Sequence, residues 1–94
     1  MTTALDLPTQ VLLANVLDAL DRLYDGRTTV VDLQSLLLAT SSAVRVPALS
    51  QMLARAANKL DEILRSRVSR EEAQSWALDV TEEVRQALAK LDLP

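Results

Sequence analysis

Residues 67–91 read RVSREEAQSWALDVTEEVRQALAKL. Ser69 stands three places before Glu72, the spacing at which a hydroxyl caps a backbone N–H of a helix's first turn while the glutamate reaches back. Behind that start, apolar residues recur at three- and four-residue steps: Ala73, Trp76, Ala77, Val80, Val84, Ala87, Leu88 and Leu91. That is the period of one helix face. The stripe keeps its phase throughout, which predicts one long helix over about 70–91 with Trp76 turned into the core. A second reading breaks this helix near 79–81, where Thr81 and the Asp79–Glu82 spacing could cap a new one.

The same grammar extends towards the N-terminus. Leu49, Met52, Leu53, Ala56, Leu60, Ile63 and Leu64 form a clean stripe that starts at Pro47. Proline is at home in a first helical turn, and it biases Val46 before it towards extended backbone. An irregular connection is therefore expected around 42–46. Thr29 and Asp32 form a capping-box-like pair opening a helix striped by Leu33, Leu36 and Leu37, which should fade near Ser41–Ser42. Leu13, Val16, Leu17, Leu20, Leu23 and Tyr24 stripe a first helix over about 8–25, with Pro8 near its start and Gly26 placed for a left-handed cap. Leu12, Val30, Val31, Leu38 and Leu78 fall off the stripes.

Slid by forty positions, residues 20–38 match residues 60–78 at six of nineteen places: Leu20/Leu60, Asp21/Asp61, Arg27/Arg67, Gln34/Gln74, Ser35/Ser75 and Leu38/Leu78. The caps superpose as well, Thr29…Asp32 over Ser69…Glu72. Duplication of a helical hairpin and the chance likeness of two Leu-rich helix–turn–helix segments both account for this. Either way the expected fold is all-α: a single helical domain over 1–94, a four-helix bundle made of αα-hairpins at about 8–41 and 47–91.

Composition removes whole classes of chemistry. The 94 residues include no Cys and no His, so thiol catalysis, disulfides, zinc knuckles and histidine-based triads are excluded. One Gly and three Pro argue against β-hairpins and glycine-rich phosphate loops, and one Trp and one Tyr are too few for base stacking. Helical carboxylate pairs such as Glu72 and Asp79 lack the Glu-x-x-His partners of di-iron bundles, and no Ser has a plausible base beside it. The expectation is a protein that is not an enzyme and holds no metal or cofactor. Asp6 interrupts the opening residues, so no signal-peptide core is expected there. No stretch is long enough to span a bilayer. A cytoplasmic protein is the expectation.

Charge is distributed unevenly. The net charge is −3, divided as −3 over residues 1–44, +4 over 45–70 and −4 over 71–94. Asp18, Asp21 and Asp25 share a face of the first helix at i, i+3 and i+7, and Asp79, Glu82 and Glu83 lie within about one turn of the last. These six are the candidate partner-binding residues, since acidic patches steer a basic partner. Ordinary helix pairs, Asp18 with Arg22 and Asp61 with Arg65, account for part of the pattern. On the basic third helix the exposed set Arg55, Asn58, Lys59 and Glu62 is thin for DNA reading in an acidic chain. Pairing of that helix with its acidic neighbours is the better expectation, with neither nucleic acid nor membrane as a partner.

The segment LYDGRTTVVDL (Leu23–Leu33) and the ending EEVRQALAKL (Glu82–Leu91) resemble small bacterial colicin-type immunity proteins. RVSREEAQSWA (Arg67–Ala77) is similar to a helix start that recurs in small bacterial proteins from toxin neighbourhoods. The resemblance covers about half the chain. It implies an all-helical acidic inhibitor that blocks a nuclease toxin by covering its basic surface, without assigning any residue to a contact. The first functional reading is thus an immunity or antitoxin-type inhibitor of a basic toxin domain. The alternative is a homo-oligomerising adaptor or structural bundle, a homodimer using its surplus apolar residues; Leu38 and Leu78, at matching repeat positions, suit such a surface.

Overall fold

The computed structural model describes residues 5–91 and 93; the rest of the expected 1–94 span lies outside the described residues. Four helices follow one another: α1 (Leu7–Tyr24), α2 (Val30–Ala43), α3 (Pro47–Arg65) and α4 (Arg70–Ala89). Among the described residues there is no strand. Each helix packs on its neighbour in sequence, and α1 also packs on α4, which closes a four-helix bundle of two αα-hairpins.

The helix starts are set by side-chain caps. The Oγ1 of Thr29 accepts from the N–H of Asp32, and the Oγ of Ser69 accepts from the N–H of Glu72, each at 3.1 Å. Asp6 caps α1 in the same way, accepting from the Thr9 N–H at 2.9 Å. Helix starts at 7 and 47, and at 30 and 70, are each forty residues apart. The α1 end is a full Schellman turn. Gly26 sits at φ +74°, its N–H bonds to the Leu23 carbonyl, and the Arg27 N–H bonds to the Arg22 carbonyl.

The α2–α3 connection is Val44–Val46, with Val46 extended ahead of Pro47 as its position before proline requires. Helix α2 runs on to Ala43 past its serines. Their hydroxyls donate to the Leu38 carbonyl, while Ser50 Oγ donates to the Ser41 carbonyl at 2.7 Å and clamps the two helices where they meet.

Among the described residues ten large apolar side chains are fully enclosed, including Leu13, Leu20, Leu37, Leu53, Leu60 and Leu88. Each such burial is worth roughly 1.5–3 kcal/mol before entropy is counted. Helix α4 does not break near 79–81. Thr81 is buried mid-helix and its hydroxyl donates back to the Ala77 carbonyl at 2.7 Å, so it satisfies itself within the helix instead of starting a new one.

Several expectations about single residues need correction. Leu64, expected on the third stripe, is exposed, and Leu12, expected off the stripes, packs against the core. Trp76 is 43% exposed and not a core residue. The buried line of α4 is Ala77, Thr81, Val84 and Leu88, and Trp76 lies on its flank beside Ile63 and Lys59 of α3. Tyr24, the last residue of α1, extends past the final core layer at Leu23 and is 71% exposed. Val30, expected off the stripe, is buried at the start of α2, where the first turn dips into the core. Leu78 is partly buried against the core, so it does not form an exposed pair with Leu38.

Candidate protein-docking face

The bundle's ring order sets α1 beside α4, and some of the expected acidic residues lie along that boundary. Asp18, Asp21 and Asp25 of α1 and its cap meet Glu82 and Arg85 of α4 around an open groove of about 590 Å³ that also holds Tyr24 and Arg27. Four of the six expected residues are therefore brought together. Asp79 and Glu83 are not. Asp79 borders the depression around Trp76 and Lys59, and Glu83 lies with Arg55 and Lys59 in the crease between α3 and α4. The cause is helical phase. Within one turn of α4, Glu82 turns towards α1 while Asp79 and Glu83 turn towards α3.

The groove is a lattice of ion pairs more than a bare acidic patch. Arg85 reaches across to Asp21 at 2.8 Å, Arg22 meets Asp18 at 3.4 Å and Arg27 meets Asp25 at 3.9 Å. All are solvated, so each contributes only a few tenths of a kcal/mol to stability. Glu82 accepts from the Gln86 side-chain amide at 3.3 Å. Four acids against two bases line the groove, leaving it net negative. Among the described residues no group of three or more acidic side chains is arranged to hold a metal ion.

The expected pairing of α3 with its acidic neighbours is not formed as ion pairs. Among the described residues α3 closes only its own Arg65–Asp61 pair at 3.0 Å. Glu83 and Asp79 lie near Arg55 and Lys59 without bonding distances between them.

Sequence reasoning missed Tyr24, Arg27 and Arg85 as groove residues. Tyr24 carried a usable signal: it directly precedes the Asp25–Gly26 cap, where a helix has run out of core to pack on. Arg85 carried none, because its partner Asp21 lies on another helix.

No protein family, characterised protein or solved structure matches the chain. No helix among the described residues is long and apolar enough to cross a membrane.

Proposed function

We propose that this domain is a protein-binding module of the immunity or antitoxin type, cytoplasmic and without catalytic activity, that covers a basic surface of a bacterial toxin with its α1/α4 face. The observation that carries this reading is Tyr24, 71% exposed in a groove with Asp18, Asp21, Asp25 and Glu82. Exposed tyrosine is a characteristic anchor of protein interfaces, and a ring of acids around it steers a basic partner and fixes its orientation. The three arginine–aspartate pairs give the face a second property. Incoming Lys or Arg side chains must displace resident guanidinium groups, so only a surface that matches several acids at once gains from the exchange. The sequence resemblance of Leu23–Leu33 and Glu82–Leu91 to colicin-type immunity proteins supports the identity of the partner class.

The test uses the partner captured from native lysate and purified. Tyr24→Ala should accelerate dissociation, and Asp18→Lys with Asp25→Lys should slow association and flatten its salt dependence. Asp79→Lys with Glu83→Lys, on the far side of α4, should leave both rates near wild type. Equal losses from the two charge reversals, or none from either, would defeat the α1/α4 face.

A further inference from the structure

The bundle is open at one end. The α1–α2 turn and the α3–α4 turn face each other there across a cavity of about 480 Å³, inside the span of roughly 300–1,000 Å³ usual for small-molecule sites. The core residues Leu23, Val30 and Ile63 form its floor, and the exposed side chains of Val31 and Leu64 stand at its mouth. Protein interiors are otherwise packed with few voids larger than a water molecule. Two aromatic residues are close by in the chain, and neither fills the space. Tyr24, next to Leu23, turns into the acidic groove, and Trp76 turns to the flank of α3.

The charge in the lining has one sign. No carboxylate lines the cavity, although the chain has 13 acids against 10 bases. Asp32, Glu71 and Glu72 belong to the adjoining first turns but stand outside the lining. Arg70 is the one charged residue in it, and Arg70 closes no ion pair among the described residues. Thr28, half-buried on the opposite turn, adds a hydroxyl donor. Val30 and Val31 begin α2 and Arg70 begins α4, so their backbone N–H groups have no partner within their own helices.

We infer that this cavity binds a small amphipathic carboxylate, one anionic head on an alkyl body. The body covers Leu23, Val30 and Ile63 and supplies the layer of core that the chain's own aromatics leave out. The head stays at the mouth, where the Arg70 guanidinium donates a charge-assisted hydrogen bond to it. One unpaired arginine matches one negative charge. The cavity shares no lining residue with the α1/α4 groove, so this site stands or falls separately from the toxin-inhibitor reading.

Octanoate is the probe, and octanol, of equal chain length and without charge, is the control. In a methyl-detected NMR titration octanoate should shift Val30 and Val68, which line the cavity, and leave Val80, beside Trp76, in place. Calorimetry should give one molecule per chain. Arg70→Gln, at an exposed position, should weaken octanoate roughly fivefold or more and leave octanol within about twofold. Ala73→Phe puts a ring into the cavity and should abolish binding of both while keeping the helical circular dichroism. The methyl map of the wild type tests the site whether or not that variant folds. Absence of saturable octanoate binding at millimolar concentration would overturn the inference. So would shifts centred on Val80, an Arg70→Gln variant that changes both affinities alike or neither, or a folded Ala73→Phe variant that still binds.

Discussion

The side-chain amide of Gln74 donates a 2.8 Å hydrogen bond to the carbonyl of Leu23, 51 residues earlier in the chain. It ties the second turn of α4 to the last turn of α1. The forty-residue repeat offers the mirror contact, Gln34 to Ile63, but it is not made. Ser66 occupies the place of Gly26 in the repeat, and its own Oγ donates to the Ile63 carbonyl at 2.6 Å. Both carbonyls already accept from a backbone N–H of their own turn, and the second acceptor position is filled by the Ser66 hydroxyl in one turn and by Gln74 in the other, where glycine has no side chain to offer. Gln74→Ala should therefore cost about 0.5–1.5 kcal/mol in urea unfolding, whereas Gln34→Ala should cost less than about 0.5 kcal/mol. Equal losses would mean the tie does not operate.

The two hairpin turns also differ in backbone. Gly26 takes its left-handed conformation at no steric cost, and a Cβ there would meet nothing within 4 Å. Gly26→Ala should still lose roughly 1 kcal/mol, all of it torsional. Arg67 sits at φ 58° in the second turn with a full side chain. Arg67→Gly should hold stability level or raise it by up to about 1 kcal/mol, since relief of strain outweighs the added freedom of the unfolded chain. Thermal melts of the two variants should move in opposite directions, or the second should not move at all.

Trp76 and Leu60 test where the core ends. Leu60→Ala should cost about 2–5 kcal/mol, as for any enclosed leucine. Trp76→Ala, although it deletes a larger side chain, should cost less than Leu60→Ala, because the indole is nearly half solvated. Its fluorescence should also be quenched readily by a soluble quencher in the native state.

Acid should loosen the first helix through Asp6. The Thr9 hydroxyl, the Thr9 backbone N–H and the nearby Arg45 hold the Asp6 carboxyl below its ordinary value of 3.8. A carboxyl whose folded pKa is depressed stabilises the fold above its unfolded pKa and loses that contribution as pH falls through the folded one. Stability measured against pH should thus decline below about 3.8 more steeply for wild type than for Asp6→Asn. The two curves should converge at the acid end. Parallel curves would remove Asp6 from the acid response.

Much of the fold could be read in advance because its signals are local. Thr29 and Ser69 cap the helices they were expected to cap, Gly26 ends α1, and Val46 is extended before Pro47. Trp76 could not be placed from periodicity. A stripe three residues wide contains both the line that faces the bundle axis and the flank that faces one neighbour, and only packing separates Ala77 from Trp76. Thr81 was ambiguous for a related reason: a threonine caps a helix or bonds back within it according to whether its surroundings are wet or dry. The acidic site was legible as two helix faces but not as one groove. Which of Asp79, Glu82 and Glu83 turns towards Asp21 depends on how α4 is rotated against α1.

Among the described residues the contact between α1 and α4 is the one major boundary that joins elements distant in the chain. It is a seam, held at its edges by Arg85 on Asp21 and by Gln74 on Leu23. Subglobal opening starts where packing is sparse, and α1 and α4 are less densely packed on the bundle than α2 and α3, so amide exchange should be fastest along α1 and α4. A partner seated in the groove bridges both sides of that seam and fastens it. At a hundred times its dissociation constant, such a ligand adds about 2.7 kcal/mol against opening. On the proposed reading, engaged copies outlast idle ones, because proteases reach a chain through its opened state. The supply of inhibitor would then adjust itself to the amount of toxin present.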